Sequence, residues 1–106
     1  MAFIYQVSLD IRSDQREDLA IGGSLERVLS YLRSHLPSYP GYVSSRAMNS
    51  VDPAQTVQLV VESVWETWDD LVAHRDSGKV EAKVLVEFGR RVPDEAMSVR
   101  VYEEVA

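Results

Sequence analysis

The stretch Leu59–His74, LVVESVWETWDDLVAH, contains the end of an apolar strand and the beginning of a helix. Its first three residues are all apolar, which is typical of a strand covered on both faces. Thr67 and Asp70 follow with the T-x-x-D spacing that caps the N-terminus of a helix. The stretch therefore predicts a strand over residues 56–65 that passes directly into a helix.

The residues before this stretch predict a further strand and helix. Residues 3–12 alternate between apolar and polar, which is the period of a half-buried strand. Ser24 offers an N-cap oxygen to a helix that ends before Pro37. The apolar stripe of that helix consists of Leu25, Val28, Leu29, Leu32 and Leu36.

The remaining elements complete a recognisable order. Residues 42–49 and 97–105 predict strands, and the helix after Thr67 is expected to run to about Arg75. Residues 79–88 fit a short helix or a strand on periodicity alone. With a helix there, the order is strand, helix, strand, strand, helix, strand, which predicts an α+β, ferredoxin-like fold with an antiparallel sheet. Its helices cover one face, so a partner sheet is the natural cover for the other.

Composition narrows the class of protein. The 106 residues fit a single domain, residues 1–106, and 45% apolar content favours a folded chain. The net charge of −6 argues against nucleic acid and anionic membranes as partners. Cysteine is absent, which excludes disulfides and thiolate catalysis. Apolar runs are too short to cross a bilayer, and the N-terminal residues lack a basic, cleavable leader, so a soluble cytoplasmic protein is expected.

Three short motifs carry a family resemblance. The first is Pro40-Gly41-Tyr42, where the second strand begins. The second is Val64-Trp65-Glu66 at the end of the third strand, followed by Trp68, Leu71 and Ala73-His74 in the next helix. The third is Val101-Tyr102 in the last strand. In these motifs the chain resembles the antibiotic-biosynthesis-monooxygenase family of dimeric α/β barrels. The resemblance implies a homodimer with face-to-face sheets and a pocket between each sheet and its helices. Some members oxidise aromatic polyketides to quinones with oxygen and no added cofactor, and others degrade haem.

The chain departs from two of these subfamilies. At the positions where haem degraders carry their Asn, Trp and His, it holds Gln6, His74 and Val84, so the axial histidine is missing. Quinone-forming members pair a strand Asn with a Trp four residues later. Here Trp65 matches the Trp, but the position four residues before it holds Val61 instead of Asn. The resemblance therefore implies no haem, and the expected reaction needs no cofactor.

His74 is the candidate catalytic residue. An imidazole titrates near neutrality and could take a phenolic proton, producing an anion that reacts with oxygen. The alternative is a histidine that interacts with the C-terminal end of the helix dipole. His35, the other histidine, is expected on the surface.

Several further residues are candidates for substrate binding. Trp65 could stack on a flat ligand, and Trp68 could form a pocket wall, although both residue types also serve as packing. Strand residues that could face the pocket or a dimer interface are Arg46, Asn49 and Glu62. No carboxylate lies at ligand spacing from either histidine, so no metal site is predicted.

Two functions remain open on the sequence. The first is a cofactor-independent monooxygenase-like enzyme that acts on a small aromatic, quinol-type substrate. The second is a non-catalytic dimeric module that binds a small molecule or has a structural role.

Overall fold

The computed structural model describes residues 2–11, 24–49, 57–80, 82–83 and 97–105. In chain order the elements are β1 (Phe3–Ile11), α1 (Ser24–His35), a 3-10 turn (Leu36–Ser38), β2 (Tyr42–Asn49), β3 (Val57–Trp65), α2 (Trp68–Ser77) and β4 (Met97–Glu103). This is the order of elements that the sequence predicts.

The four strands form one antiparallel sheet in the order β2-β3-β1-β4. Strands β1 and β3 are central, and Val7 faces Val61 on one side and Val99 on the other. Non-consecutive strands are neighbours because α1 and α2 each carry the chain across the sheet. The α+β, ferredoxin-like prediction is confirmed.

The core lies between the helices and one face of the sheet. Tyr5, Val7 and Leu9 alternate along β1 and are all buried, as their period predicts. The pairing places Leu59 and Val61 of β3 on the same face. Helix α1 and the 3-10 turn contribute Val28, Leu32 and Leu36 from the predicted stripe. Burial of these side chains is the main source of stability.

Helix α2 begins where its sequence predicts and extends two residues beyond the predicted end at Arg75. Thr67 is the N-cap, and its Oγ1 accepts a hydrogen bond from the Asp70 backbone N–H at 3.1 Å. Gly78 ends the helix in the left-handed conformation at φ 62°. The helix reaches Ser77, and residues 79, 80, 82 and 83 beyond it are helical too. Residues 84–88 of the ambiguous segment lie outside the described part.

Strand β4 is two residues shorter than predicted. Its last pair is Glu103 with Phe3, which is also the first residue of β1. The next backbone hydrogen bond runs from the N–H of Glu104 to the carbonyl of Ala2, and Val105 is 85% exposed. The prediction to residue 105 was wrong because the partner strand stops there. Arg12, Thr56, the Gly22-Gly23 connection and the Asp52-Pro53 turn lie outside the described residues.

Candidate functional site

The end of β3 and the second turn of α2 meet at a stacked pair of rings. The Trp65 indole is fully buried and lies on the His74 imidazole, with centroids 4.6 Å apart and planes inclined by 24°. The indole Nε1 donates a 2.9 Å hydrogen bond to Ser63 Oγ, two residues back on the same face of β3. The structure thus brings together two of the predicted site residues.

Tyrosine rings enclose this pair. Tyr5 and Tyr39 meet the His74 ring edge-on, at 5.5 Å and 5.3 Å. Tyr42 approaches Trp65 edge-on at 5.9 Å. We call these five residues the aromatic cluster. The His74 side chain is only 3% exposed, so the candidate base is covered by aromatic rings.

A turn at Gly41, just before β2, is hydrogen-bonded to the β3–α2 junction. Gly41 has φ 78°, and its carbonyl accepts a 2.8 Å hydrogen bond from the Glu66 N–H at the β3–α2 junction. A Cβ on Gly41 would lie 2.6 Å from the Asp70 Cβ and closer still to its carboxylate. Only glycine therefore fits both the conformation and the space, and the turn carries the chain into β2 with Tyr42 facing Trp65.

Arg46 and Glu62 meet on the opposite face of the sheet. Arg46 Nε lies 2.6 Å from Glu62 Oε2, and Gln6 Nε2 donates to Glu62 Oε1 at 2.9 Å. The Glu62 residue is 5% exposed, whereas the Arg46 side chain is 66% exposed. The three side chains form a polar row across β2, β3 and β1, on the face that the helices leave uncovered. We call this face the open face.

Trp68 does not join the aromatic cluster. Its ring meets Phe3 edge-on at 5.9 Å, and the Arg75 guanidinium lies 5.8 Å from its centroid. It is 45% exposed. Trp68 is the first residue of α2 and is partly exposed, whereas Trp65 is buried, so the two tryptophans occupy different environments.

A cavity of about 360 Å³ lies between α1 and the β2 edge of the sheet. Its described lining consists of Leu29, Leu32, Arg33, Ser45, Arg46, Ala47, Met48 and Leu59. Among the described lining residues, Arg46 is a predicted site residue, but its guanidinium contacts Glu62 on the open face. Asn49 follows Met48 at the end of β2, and its side chain lies outside the described part.

Ser45 connects the cavity with the aromatic cluster, and sequence reasoning missed it. The hydroxyl groups of Ser45 and Tyr42 hydrogen-bond at 2.8 Å, and Ser45 lies opposite Ser63 in the sheet. A serine in a strand of mixed polarity has no distinguishing pattern. Its importance becomes visible only when the strand register is known.

Solved structures share this fold. A dimeric ferredoxin-like protein of unknown function from Bacteroides fragilis has a TM-score of 0.69 at 12% identity, covering 97% of this chain and 96% of its own. A protein provisionally assigned as an antibiotic biosynthesis monooxygenase from Deinococcus radiodurans has a TM-score of 0.61 at 13% identity, covering 98% and 93%.

A third similar structure is described by a different family name. An ethyl tert-butyl ether D family protein from Bacillus halodurans has a TM-score of 0.60 at 14% identity, covering 99% of this chain and all of its own. At such identities the likeness establishes the fold, and a fold hosts many functions. No protein-family model matches the chain, and no curated protein matches it significantly.

No described helix is long and apolar enough to cross a membrane. Within the same residues, no three His, Cys, Asp or Glu side chains converge as a metal-ligand set would.

Proposed function

We propose that the protein is a monooxygenase-like enzyme that oxidises a small aromatic, quinol-type substrate with molecular oxygen. The observation that carries the proposal is the cavity between α1 and the sheet, which a single hydroxyl pair, Ser45 and Tyr42, connects to a buried cluster containing an imidazole. The resemblance of the Trp65–His74 segment to oxygenases of this fold supports the choice of reaction.

The cavity has the character of a small-ligand site. Such sites are mostly apolar with a few placed polar groups, and their volumes begin at roughly 300 Å³. Leu29, Leu32 and Leu59 supply apolar wall, while Ser45 and Arg33 supply polar atoms. We expect a flat ring system to lie between the leucines, with its hydroxyl or carbonyl oxygen at Ser45. Trp68, Asn49 and Glu62 receive no ligand contact in this proposal.

The proposed chemistry is oxidation of a ring methylene to a carbonyl. His74 takes a proton from the substrate, and the resulting anion donates an electron pair to oxygen and forms a C–O bond. The hydroperoxide then loses water, so that one CH₂ and one O₂ become one C=O and one H₂O. Oxygen is the oxidant, and the proton on His74 leaves in the water.

The burial of His74 sets a requirement on this step. Tyr5, Tyr39 and Trp65 cover the imidazole, so a substrate reaches it only when one of these rings moves. Tyr42 contacts both Trp65 and Ser45, so it joins the cavity to the buried rings of the cluster. A ligand in the cavity is expected to displace Tyr42 first.

The proposal includes a homodimer formed through the open face. The helices cover the other face, and the open face carries apolar side chains such as Ile4, Val60 and Val64 beside the polar row. Tyr102, on the same face, is 43% exposed. A protein of this small size gains useful burial from a second copy, and the Bacteroides protein of the same fold is described as dimeric.

The decisive experiment follows oxygen uptake and quinone formation with an anthrone. One O₂ consumed per quinone formed is the expected stoichiometry, after subtraction of the uncatalysed oxidation. His74→Phe keeps an aromatic ring in the cluster and removes the base, so ligand binding is expected to persist while turnover falls at least about a hundred-fold. Ala47→Phe fills the cavity and is expected to abolish binding. The matched control is Ala73→Phe, on the exposed side of α2.

The outcomes separate the two functions. Binding of the anthrone without turnover in the wild-type protein would replace the oxygenase by a small-molecule-binding module. Undiminished turnover by His74→Phe would remove His74 from the mechanism. Absence of binding by any tricyclic phenol would refute the ligand site itself.

A further inference from the structure

A second concave surface lies on the helix side of the molecule. It is shallow and largely open to solvent, with a volume of about 540 Å³, and its described lining consists of Tyr31, His35, Tyr39, Lys79, Ala82 and Lys83. We call it the interhelical groove, because α1 contributes one wall and the helical residues after Gly78 contribute the other. Among the described residues, none lines both this groove and the cavity at Ser45.

The groove concentrates positive charge in an acidic protein. The chain has a net charge of −6 and contains two lysines, and both of them line this groove. Lys79 and Lys83 are four residues apart in helical backbone, a spacing that places both side chains on the same side of that backbone. The groove therefore gathers both lysine side chains on one surface.

The other wall of the groove is aromatic. Tyr31 and His35 stack with centroids 4.6 Å apart and planes inclined by 16°, one helical turn apart on α1. The Lys79 ammonium lies 5.6 Å from the centroid of Tyr39. A hydrogen bond with Tyr39 raises the pKa of Lys79, which keeps that amine charged. Burial raises the pKa of Tyr31, which keeps its hydroxyl a neutral donor.

We propose that the interhelical groove binds a small aromatic carboxylate. Lys79 and Lys83 take the carboxylate, and the ring lies against the stacked pair of Tyr31 and His35. Both parts are needed, because exposed ion pairs alone contribute little and the aromatic wall alone would accept neutral compounds. The site is separate from the proposed oxygenase cavity, so either proposal can fail without the other.

Calorimetric titration with 2-naphthoate tests this site. The neutral 2-naphthalenemethanol and inorganic phosphate serve as probes that lack the charge and the ring, respectively. We expect 2-naphthoate to bind at least several-fold more tightly than either, and added salt to weaken it. The Lys79→Gln/Lys83→Gln double variant is expected to bind 2-naphthoate roughly ten-fold more weakly than the wild-type protein.

The matched control is Arg75→Gln. It removes one positive charge four residues before Lys79, but Arg75 lies against Trp68 and is not among the described lining residues of the groove. Its affinity for 2-naphthoate is expected to equal that of the wild-type protein. The single variant Lys79→Gln also removes one positive charge and is expected to bind 2-naphthoate more weakly. If Arg75→Gln weakened binding as much as Lys79→Gln does, net charge and not the groove would attract the ligand.

A direct readout uses the two lysines. Reductive methylation with ¹³C-formaldehyde keeps their charge and yields NMR signals from Lys79, Lys83 and the N-terminus only. Binding of 2-naphthoate is expected to shift both lysine signals. Equal binding of the alcohol or of phosphate would overturn the proposed ligand class. Lysine signals that stay unchanged up to about 10 mM 2-naphthoate would overturn the site.

Discussion

The indole of Trp65 and the imidazole of His74 are stacked in the interior, with ring centroids 4.6 Å apart. The contact joins the last residue of β3 to the seventh residue of α2, and Tyr5 and Tyr39 close it from two other elements. The segment most suggestive of chemistry in the sequence is therefore also part of the core. Any catalytic role of His74 has to operate from within that packing.

The hydrogen bond beneath Trp65 predicts the cost of removing its acceptor. Ser63→Ala leaves the buried indole N–H without its 2.9 Å partner, and we expect about 1–3 kcal/mol of destabilisation. Urea unfolding followed by tryptophan fluorescence measures this change. Ser34→Ala, on the exposed side of α1, is the matched control and should change stability by less than about 0.5 kcal/mol. Equal stability of both variants would show that another group satisfies the indole.

Alanine substitutions at two glycines distinguish the steric cost of an added Cβ from its conformational cost. Gly41 and Gly78 both have positive φ, so alanine at either position costs about 1–2 kcal/mol in backbone conformation. A Cβ on Gly41 would also collide with Asp70, whereas one on Gly78 meets no atom within 4 Å. Gly41→Ala is therefore expected to be the more destabilising change by at least about 1 kcal/mol. Equal thermal unfolding free energies for the two variants would contradict the close approach of Gly41 and Asp70.

The open face predicts where a charge disrupts dimerisation. Val64 lies on that face between Ile4 and Ser44, and in the proposed dimer an aspartate there would be buried unpaired. Val64→Asp is expected to weaken the dimer at least about a hundred-fold. Ala73→Asp adds the same charge on the exposed side of α2 and should leave the dimer intact. Sedimentation velocity distinguishes the two, and a monomeric wild-type protein would refute the interface.

The interhelical groove predicts a loss of stability at high pH. The pKa of Lys79 is raised from 10.5, first by the hydrogen bond with Tyr39, and that of Tyr31 is raised from 10.0, first by burial. The folded state favours the protonated form of each group. Their contribution is therefore fully present below about pH 10, and it is lost as the pH rises through the raised folded values.

Unfolding free energies measured between about pH 9 and pH 11.5 test that window. Tyr31→Phe removes one of the two groups, and its stability is expected to fall less steeply with pH than that of the wild-type protein. Identical slopes would mean that Tyr31 titrates alike in the folded and unfolded states.

Periodicity and capping were sufficient to predict most of the elements. The alternation along β1, the stripe of α1 and the Thr67 cap of α2 act over a few residues, so a sequence pattern records them. The two-residue error at the end of β4 arose because that strand ends where β1 begins, which is a property of the pairing.

The candidate site was less predictable. Glu62 was placed correctly on a strand, but a strand does not reveal which of its faces the helices cover. The structure turns Glu62 away from the helices, where its partners are Arg46 and Gln6, 16 and 56 residues away in the chain. The sequence does not predict the contacts of Ser45 or the interhelical groove for the same reason, because the residues that form them come from distant segments.

The sequence by itself determined the order of strands and helices, since hydrophobic period and helix caps are local properties of the chain. Only the tertiary structure decided that His74 is enclosed by three rings, that Arg46 and Glu62 meet on the open face, and that both lysines share one groove. These relationships depend on strand register and on how each helix crosses the sheet. Both are set by the packing of the whole core and not by any segment alone.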